Sequence, residues 1–204
     1  MSSLEFPITF FDYETIYPAI PKYDGTLPYQ QVPFQFSIHI LKADGNLIYD
    51  EYLHLEKSNP MPNLLKHLST VVGYEGSVIS WNDIFEKGIN NTMSQMYPDY
   101  KILLDSINAR MFDLSIIFKN DYLHPKFMGS YSLKSVMPVF YDELQYSDLS
   151  ISEGGTASYK WMDMIFGNLD IKENEKIKRD LLEYSKLDTG GMVEIYKSLI
   201  NLVN

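Results

Sequence analysis

Residues 8–16 read "ITFFDYETI", an apolar run of the kind that forms a buried strand, and it carries two acids two positions apart. Alternate side chains of a strand share a face, so Asp12 and Glu14 point the same way. Two carboxylates side by side at ~4 Å repel by roughly 4 kcal/mol at an effective dielectric near 20. A fold that accepts this segment must protonate the acids, pair them with a base, hold a cation between them, or tip them into water. Composition alone supplies about one Asp-x-Glu in a chain of this size, so the apolar flank is what singles this one out.

The surrounding chain bears on the choice. Its 204 residues are enough for one domain with a core of its own, and 45% hydrophobic with 22% charged residues is ordinary for a globular protein. There is no Cys, which excludes disulfides, thiolate chemistry and Cys-based zinc sites. The four His residues, at 39, 54, 67 and 124, have no paired metal-ligand spacing. No stretch resembles a signal sequence or reaches 18 apolar residues, so a cytoplasmic protein with no membrane partner is expected. The net charge of −10 argues against a broad electrostatic grip on duplex phosphates, but an acidic site that binds divalent cations can neutralise phosphate locally. With only Arg110 and Arg179 in the chain, an arginine-clamp mechanism is not expected.

The pattern begins with a strand over 7–14, followed by a loop rich in Pro, Gly and Tyr. In "FQFSIHIL", Phe34, Phe36, Ile38 and Ile40 alternate with Gln, Ser and His, which predicts a half-buried strand. "ADGN" is a hairpin turn into "LIYDEYLHL". "NPMPNLLKHLSTVVG" has helical apolar spacing with Pro near its start, and "GSVISW" reads as a further strand. Helices are expected over about 83–97, 99–109, 114–120, 132–140, 156–167 and 173–203, the last broken in two near "DTGG". Strands first and helices after predict an α/β layer structure around a mixed sheet, in a single domain over 1–204. The sheet starts within about seven residues of the beginning, as in a piece of a larger protein.

Two further acids sit where they could join the first pair. In "SWNDIFEKG", Asn82 is an N-cap candidate and Glu86 lies one turn on, just past the end of a buried strand; a solvated helix position explains it equally well. Asp83 is a rival with a simpler role, complementing the helix dipole. In "EYSKLDTGG", Tyr184 and Asp188 share a helix face, but Tyr159 and Asp163 in "YKWMD" have the same spacing. The glycines after Asp188 allow close backbone approach there. Converging carboxylates push one another's pKa values up. Two divalent cations about 3.5–4 Å apart would resolve that repulsion and suit phosphoryl chemistry, and an all-oxygen ligand set favours Mg2+ or Mn2+.

The order of these motifs, Asp-x-Glu on a first strand, Asn-x-x-Phe-Glu after a later one and Tyr-x-x-x-Asp near the end, resembles the DEDD (DnaQ-like) superfamily of 3′–5′ exonucleases, which has a ribonuclease H-like fold. Nearly the whole chain looks like a family of uncharacterised bacterial domains in that superfamily, through "FFDYETIYPAIPKYDGTLPYQQVPFQFSIHI", "WNDIFEKG", "DYLHPKFMGSYSLKSVMP" and "LLEYSKLDT". The resemblance implies a ribonuclease H-like mixed sheet flanked by helices, with Asp12, Glu14, Glu86 and Asp188 as metal ligands and Tyr184 orienting the attacking water. It sets Tyr159 and Asp163 aside, because they precede the final motif. The superfamily usually has Asp where this chain has Glu86, which moves the carboxylate by one methylene. Asp113 matches an acidic position near the site that is not a standard ligand.

The implied activity is metal-dependent hydrolysis of DNA or RNA from a single-stranded 3′ end, with two Mg2+ or Mn2+ ions. Thr15, Gln31 and Lys134 are secondary candidates for substrate contact, against simpler readings as strand, loop and helix surface. The same simple reading covers Tyr29, Gln30 and Gln35. The alternative is a non-catalytic nucleic-acid- or protein-binding module on the same fold. Four carboxylates and Tyr184 favour the enzyme, because a binding module has no use for clustered repulsion.

Overall fold

In the computed structural model, residues 3–141, 151 and 153–203 are described. Five strands form one open sheet: β1 (Ile8–Ile16), β2 (Val32–Leu41), β3 (Leu47–Leu53), β4 (Ser77–Ser80) and β5 (Met111–Asp113), in the order β3-β2-β1-β4-β5. β1 to β3 are antiparallel neighbours, and β4 and β5 add parallel on the other side of β1. The sheet is therefore mixed, and β1 lies at its centre. The β2–β3 turn forms at the expected place: Gly45 takes φ 85°, and Asp44 Oδ1 accepts from Asn46 N at 2.9 Å.

Seven helices of the described residues flank the sheet: α1 (Met61–Val71), α2 (Asp83–Met96), α3 (Lys101–Ala109), α4 (Ser115–Asn120), α5 (Leu133–Phe140), α6 (Gly154–Phe166) and α7 (Ile171–Val203). The pleat sorts the core into two layers. Phe11, Tyr13, Phe36 and Ile38 pack with residues of α1, α2 and α3. On the opposite face, Ile8 and Phe10 pack with α5 and the C-terminal half of α7. Because Asp12 and Glu14 continue the Ile8–Phe10 face, they point toward the layer that contains α7.

Three expectations need correction. The strand containing "FQFSIHIL" is buried on both faces: Gln35 and Ser37 are fully buried, and His39 nearly so. Its polar residues face α7 instead of water and are spent on that helix: Gln35 Nε2 donates to Leu181 O at 2.9 Å, Ser37 Oγ to Ser185 O at 2.6 Å, and His39 Nδ1 pairs with Thr189 Oγ1 at 2.8 Å. The final helix does not break near "DTGG"; it runs unbroken from Ile171 to Val203. Gly191 serves packing, since a β-carbon there would run into the Met137 side chain of α5. Finally, β5 was not expected: three residues are too few to show a period, and parallel pairing with β4 is what makes them a strand.

Candidate metal centre

The centre of the sheet delivers the first two acids. Asp12 sits opposite Ser37 and Glu14 opposite Gln35 in the β1–β2 ladder, and the register slips immediately after Glu14. Such an irregularity bends a strand and re-aims the side chains beside it. The hydrogen bonds from Gln35 and Ser37 fix α7 over these positions and bring Asp188 down onto them. Oxygens of Asp12, Glu14 and Asp188 all lie within 4.8 Å of one another. Glu14 and Asp188 are buried, and Asp12 is partly so.

Electrostatics at this point are unfavourable without a cation. Burial, then the Glu14, Asp188 and Glu86 charges, hold the Asp12 carboxyl well above its ordinary range. Glu14 is pushed up to about 8, chiefly by burial and Asp188, with Lys134 pulling the other way. The three acids thus have a geometry and charge that a divalent ion would complete.

Glu86 is not a solvated helix residue: it is only 1% exposed. It lies outside the group formed by the other three acids, although its charge acts on Asp12 and Glu14. Burial, followed by Asp83 and Asp113, raises its own pKa to about 8. Among the described residues its Oε2 has no hydrogen-bond partner. The turn that delivers Glu86 is fixed by Asp113, whose Oδ1 accepts from Asn82 N and Ser115 N, both at 2.9 Å. Asn82 occupies the N-cap position with φ 73°, but its side chain makes no capping bond. Asp83 pairs with Lys87 on the helix surface.

Tyr184 is buried beside the acids, and its phenol oxygen accepts from Lys134 Nζ at 2.7 Å. The same ammonium lies 4.5 Å from the ring centroid. Thr15 Oγ1 donates to Gln31 Oε1 at 2.5 Å, and both residues line a cavity of about 250 Å³ with Asp12, Glu14, Tyr184 and Asp188. Tyr13, Tyr17, Phe85, Gly154 and Ser158 complete its wall, and of these Phe85 alone figured in the sequence reading, within the Asn-x-x-Phe-Glu motif. The "GGTAS" start of α6 was the available signal for two of them: Ser158 Oγ donates to Thr15 O at 2.5 Å, and Gly154 faces Glu14. Gln30 and Gln35 have packing roles, bonded to Met96 and to the α7 backbone, while Tyr29 is exposed. Tyr159 lies exposed on α6, outside the cavity wall.

A larger hollow of about 630 Å³ lies at the opposite end of the sheet, beside Phe6, Gly76 and Arg110. Its arginine is committed to the backbone carbonyls of Gly73, Glu75, Gly76 and Ser106, so it acts as a staple. No described helix is long and apolar enough to cross a membrane.

Residues 9–132 match the family described as a domain of unknown function (DUF2779). The chain is similar to uncharacterised proteins of Ureaplasma parvum (24% identical over 96% of the chain), Mycoplasma pneumoniae (26% over 91%) and Mycoplasma genitalium (24% over 95%). It spans about a third of the length of each, 31%, 31% and 32%. No solved structure matches the chain. With more than half of its residues in the family match, the chain belongs to the DUF2779 family of domains.

Proposed function

We propose that the chain is a metal-dependent 3′–5′ exonuclease domain with a ribonuclease H-like fold, acting on single-stranded 3′ ends of DNA or RNA in the cytoplasm. The observation that carries the reading is the acidic trio: three carboxylates from β1 and α7, with oxygens within 4.8 Å, held where their charge is least tolerated. Buried Glu86, pushed up to about 8 and with one carboxylate oxygen unpartnered among the described residues, adds a fourth acid. The mixed sheet, with its two parallel strands added beside β1, supports the reading at the level of architecture.

Asp12, Glu14 and Asp188 would hold Mg2+ or Mn2+, with Glu86 completing the shell from α2. When bound, such ions supply Lewis-acid activation of water and stabilisation of charge on the phosphate. Tyr184, anchored by Lys134, orients the attacking water at the cavity wall. Thr15 and Gln31, joined to each other, face the substrate from the β1 side, where the half-exposed Tyr17 offers a base a stacking surface.

The test is degradation of end-labelled single-stranded DNA and RNA by wild type and Asp12→Asn, with Mn2+, Mg2+ or chelator. Shortening from the 3′ end that needs metal and that the substitution removes is expected. Intact substrate with folded wild type in both metals would refute the nuclease. The position of Glu86 outside the trio favours a second reading, a nucleic-acid- or protein-binding module with weakened metal affinity, and that result would select it.

A further inference from the structure

The lysine that reaches Tyr184 comes from the first turn of α5, and the packing of α5 on α7 explains why it arrives there. Tyr184, Asp188 and Gly191 are spaced i, i+4 and i+7, so they share one face of α7. Lys134 and Met137, at i and i+3, share one face of α5. Met137 occupies the space that a side chain at position 191 would need. The glycine therefore draws the two helices together, and the lysine one turn before Met137 is laid against the phenol one face-repeat before Gly191. Its Nζ donates to Tyr184 Oη at 2.7 Å and lies 4.5 Å from the ring centroid. The ammonium is therefore held at the phenol oxygen, at the hydroxyl end of the ring.

Two consequences follow. An ammonium has no lone pair, so the phenol oxygen is the acceptor in this bond and its own hydrogen must point to a different acceptor. Among the described residues, Lys134 is also the cation whose charge reaches both Asp12 and Glu14. With Glu86 included, four carboxylates holding two divalent ions and one phosphodiester would leave the centre one negative charge in excess, which the ammonium would offset.

We propose that Lys134 is the positioning residue of the centre: it fixes Tyr184 as a hydrogen-bond donor toward the cavity and supplies the charge that a bound phosphodiester leaves uncompensated. This rests on the exonuclease reading, so the test has one arm independent of activity. In calorimetric titration with Mn2+, Lys134→Met is expected to bind about three- to tenfold more tightly than wild type, because a positive charge near the acids is gone. Lys134→Arg is expected to match wild type. Equal affinity in Lys134→Met would overturn the placement of the charge.

On a single-stranded oligonucleotide, Lys134→Met should lower kcat by about 10- to 100-fold with KM within about twofold, and Lys134→Arg should restore much of it. In a Tyr184→Phe background the same change should cost clearly less than it does in wild type, since only the lysine's charge then remains to be lost. Losses that simply multiply would overturn the positioning role. A wild type that binds Mn2+ but cuts nothing would refute the nuclease and leave the titration to decide the lysine's placement. A wild type that binds no Mn2+ would overturn both.

Discussion

At the scale of single residues, the tension lies in carboxylates that the fold buries against their preference. Glu14 and Glu86 are each held at about 8, against an ordinary 4.5. Between those values the folded chain keeps protons that the unfolded chain has released, so metal-free stability falls as pH rises and levels off above about 8. The slope is at most about 1.4 kcal/mol per pH unit for each such group. Glu86→Gln should therefore flatten the loss between about pH 5 and pH 8, measured by thermal denaturation in chelator. An unchanged slope would mean that Glu86 is not held protonated. The acids on β1 were legible in the sequence because two charges on one face of an apolar run must be compensated unless the strand end tips them into water. Glu86 was legible as a candidate only, since one acid in a first helical turn looks the same whether it faces water or a core. Lys134 was legible only as a secondary candidate for substrate contact, because contact with Tyr184 depends on how two helices dock.

At the scale of elements, α7 organises the site, and its glycines were misread as a break. Local propensity favoured that reading, since each Gly in a helix interior costs about 1 kcal/mol relative to Ala. Packing overrides it at Gly191, where Met137 of α5 fills the space, whereas a β-carbon on Gly190 would rest 3.6 Å from His39 Cε1, an ordinary contact. The two positions should respond differently in denaturant unfolding. Gly191→Leu is expected to destabilise by about 1–3 kcal/mol through overpacking. Gly190→Ala is expected to be neutral or to gain up to about 1 kcal/mol. Equal losses at both would refute the close-approach account. β2 carries the companion lesson. Alternating polar residues predict a water-facing side, yet Gln35, Ser37 and His39 hydrogen-bond α7, and no pattern within one strand distinguishes those two uses.

At the scale of the whole molecule, strand order and layering set the chemistry. A central strand with antiparallel neighbours on one side and parallel ones on the other places Asp12 and Glu14 under a long helix from the far end of the chain. The sequence showed most of the elements and the mixed α/β character. The docking of α7 lay beyond it, because that depends on buried Gln35 and Ser37 donating to backbone carbonyls 146 and 148 residues away in sequence. Among the described residues, Lys134 is the cation whose charge acts on both Asp12 and Glu14, within a chain of net charge −10.

Whether these acids form a divalent-cation site can be read from thermal unfolding with and without Mn2+ near pH 8. A ligand that binds only the folded state stabilises it by about 2.7 kcal/mol at a hundred times its Kd. A clear rise in melting temperature with Mn2+ is expected in wild type and little or none in Asp12→Asn. A rise of the same size in both proteins, or none in either, would contradict it.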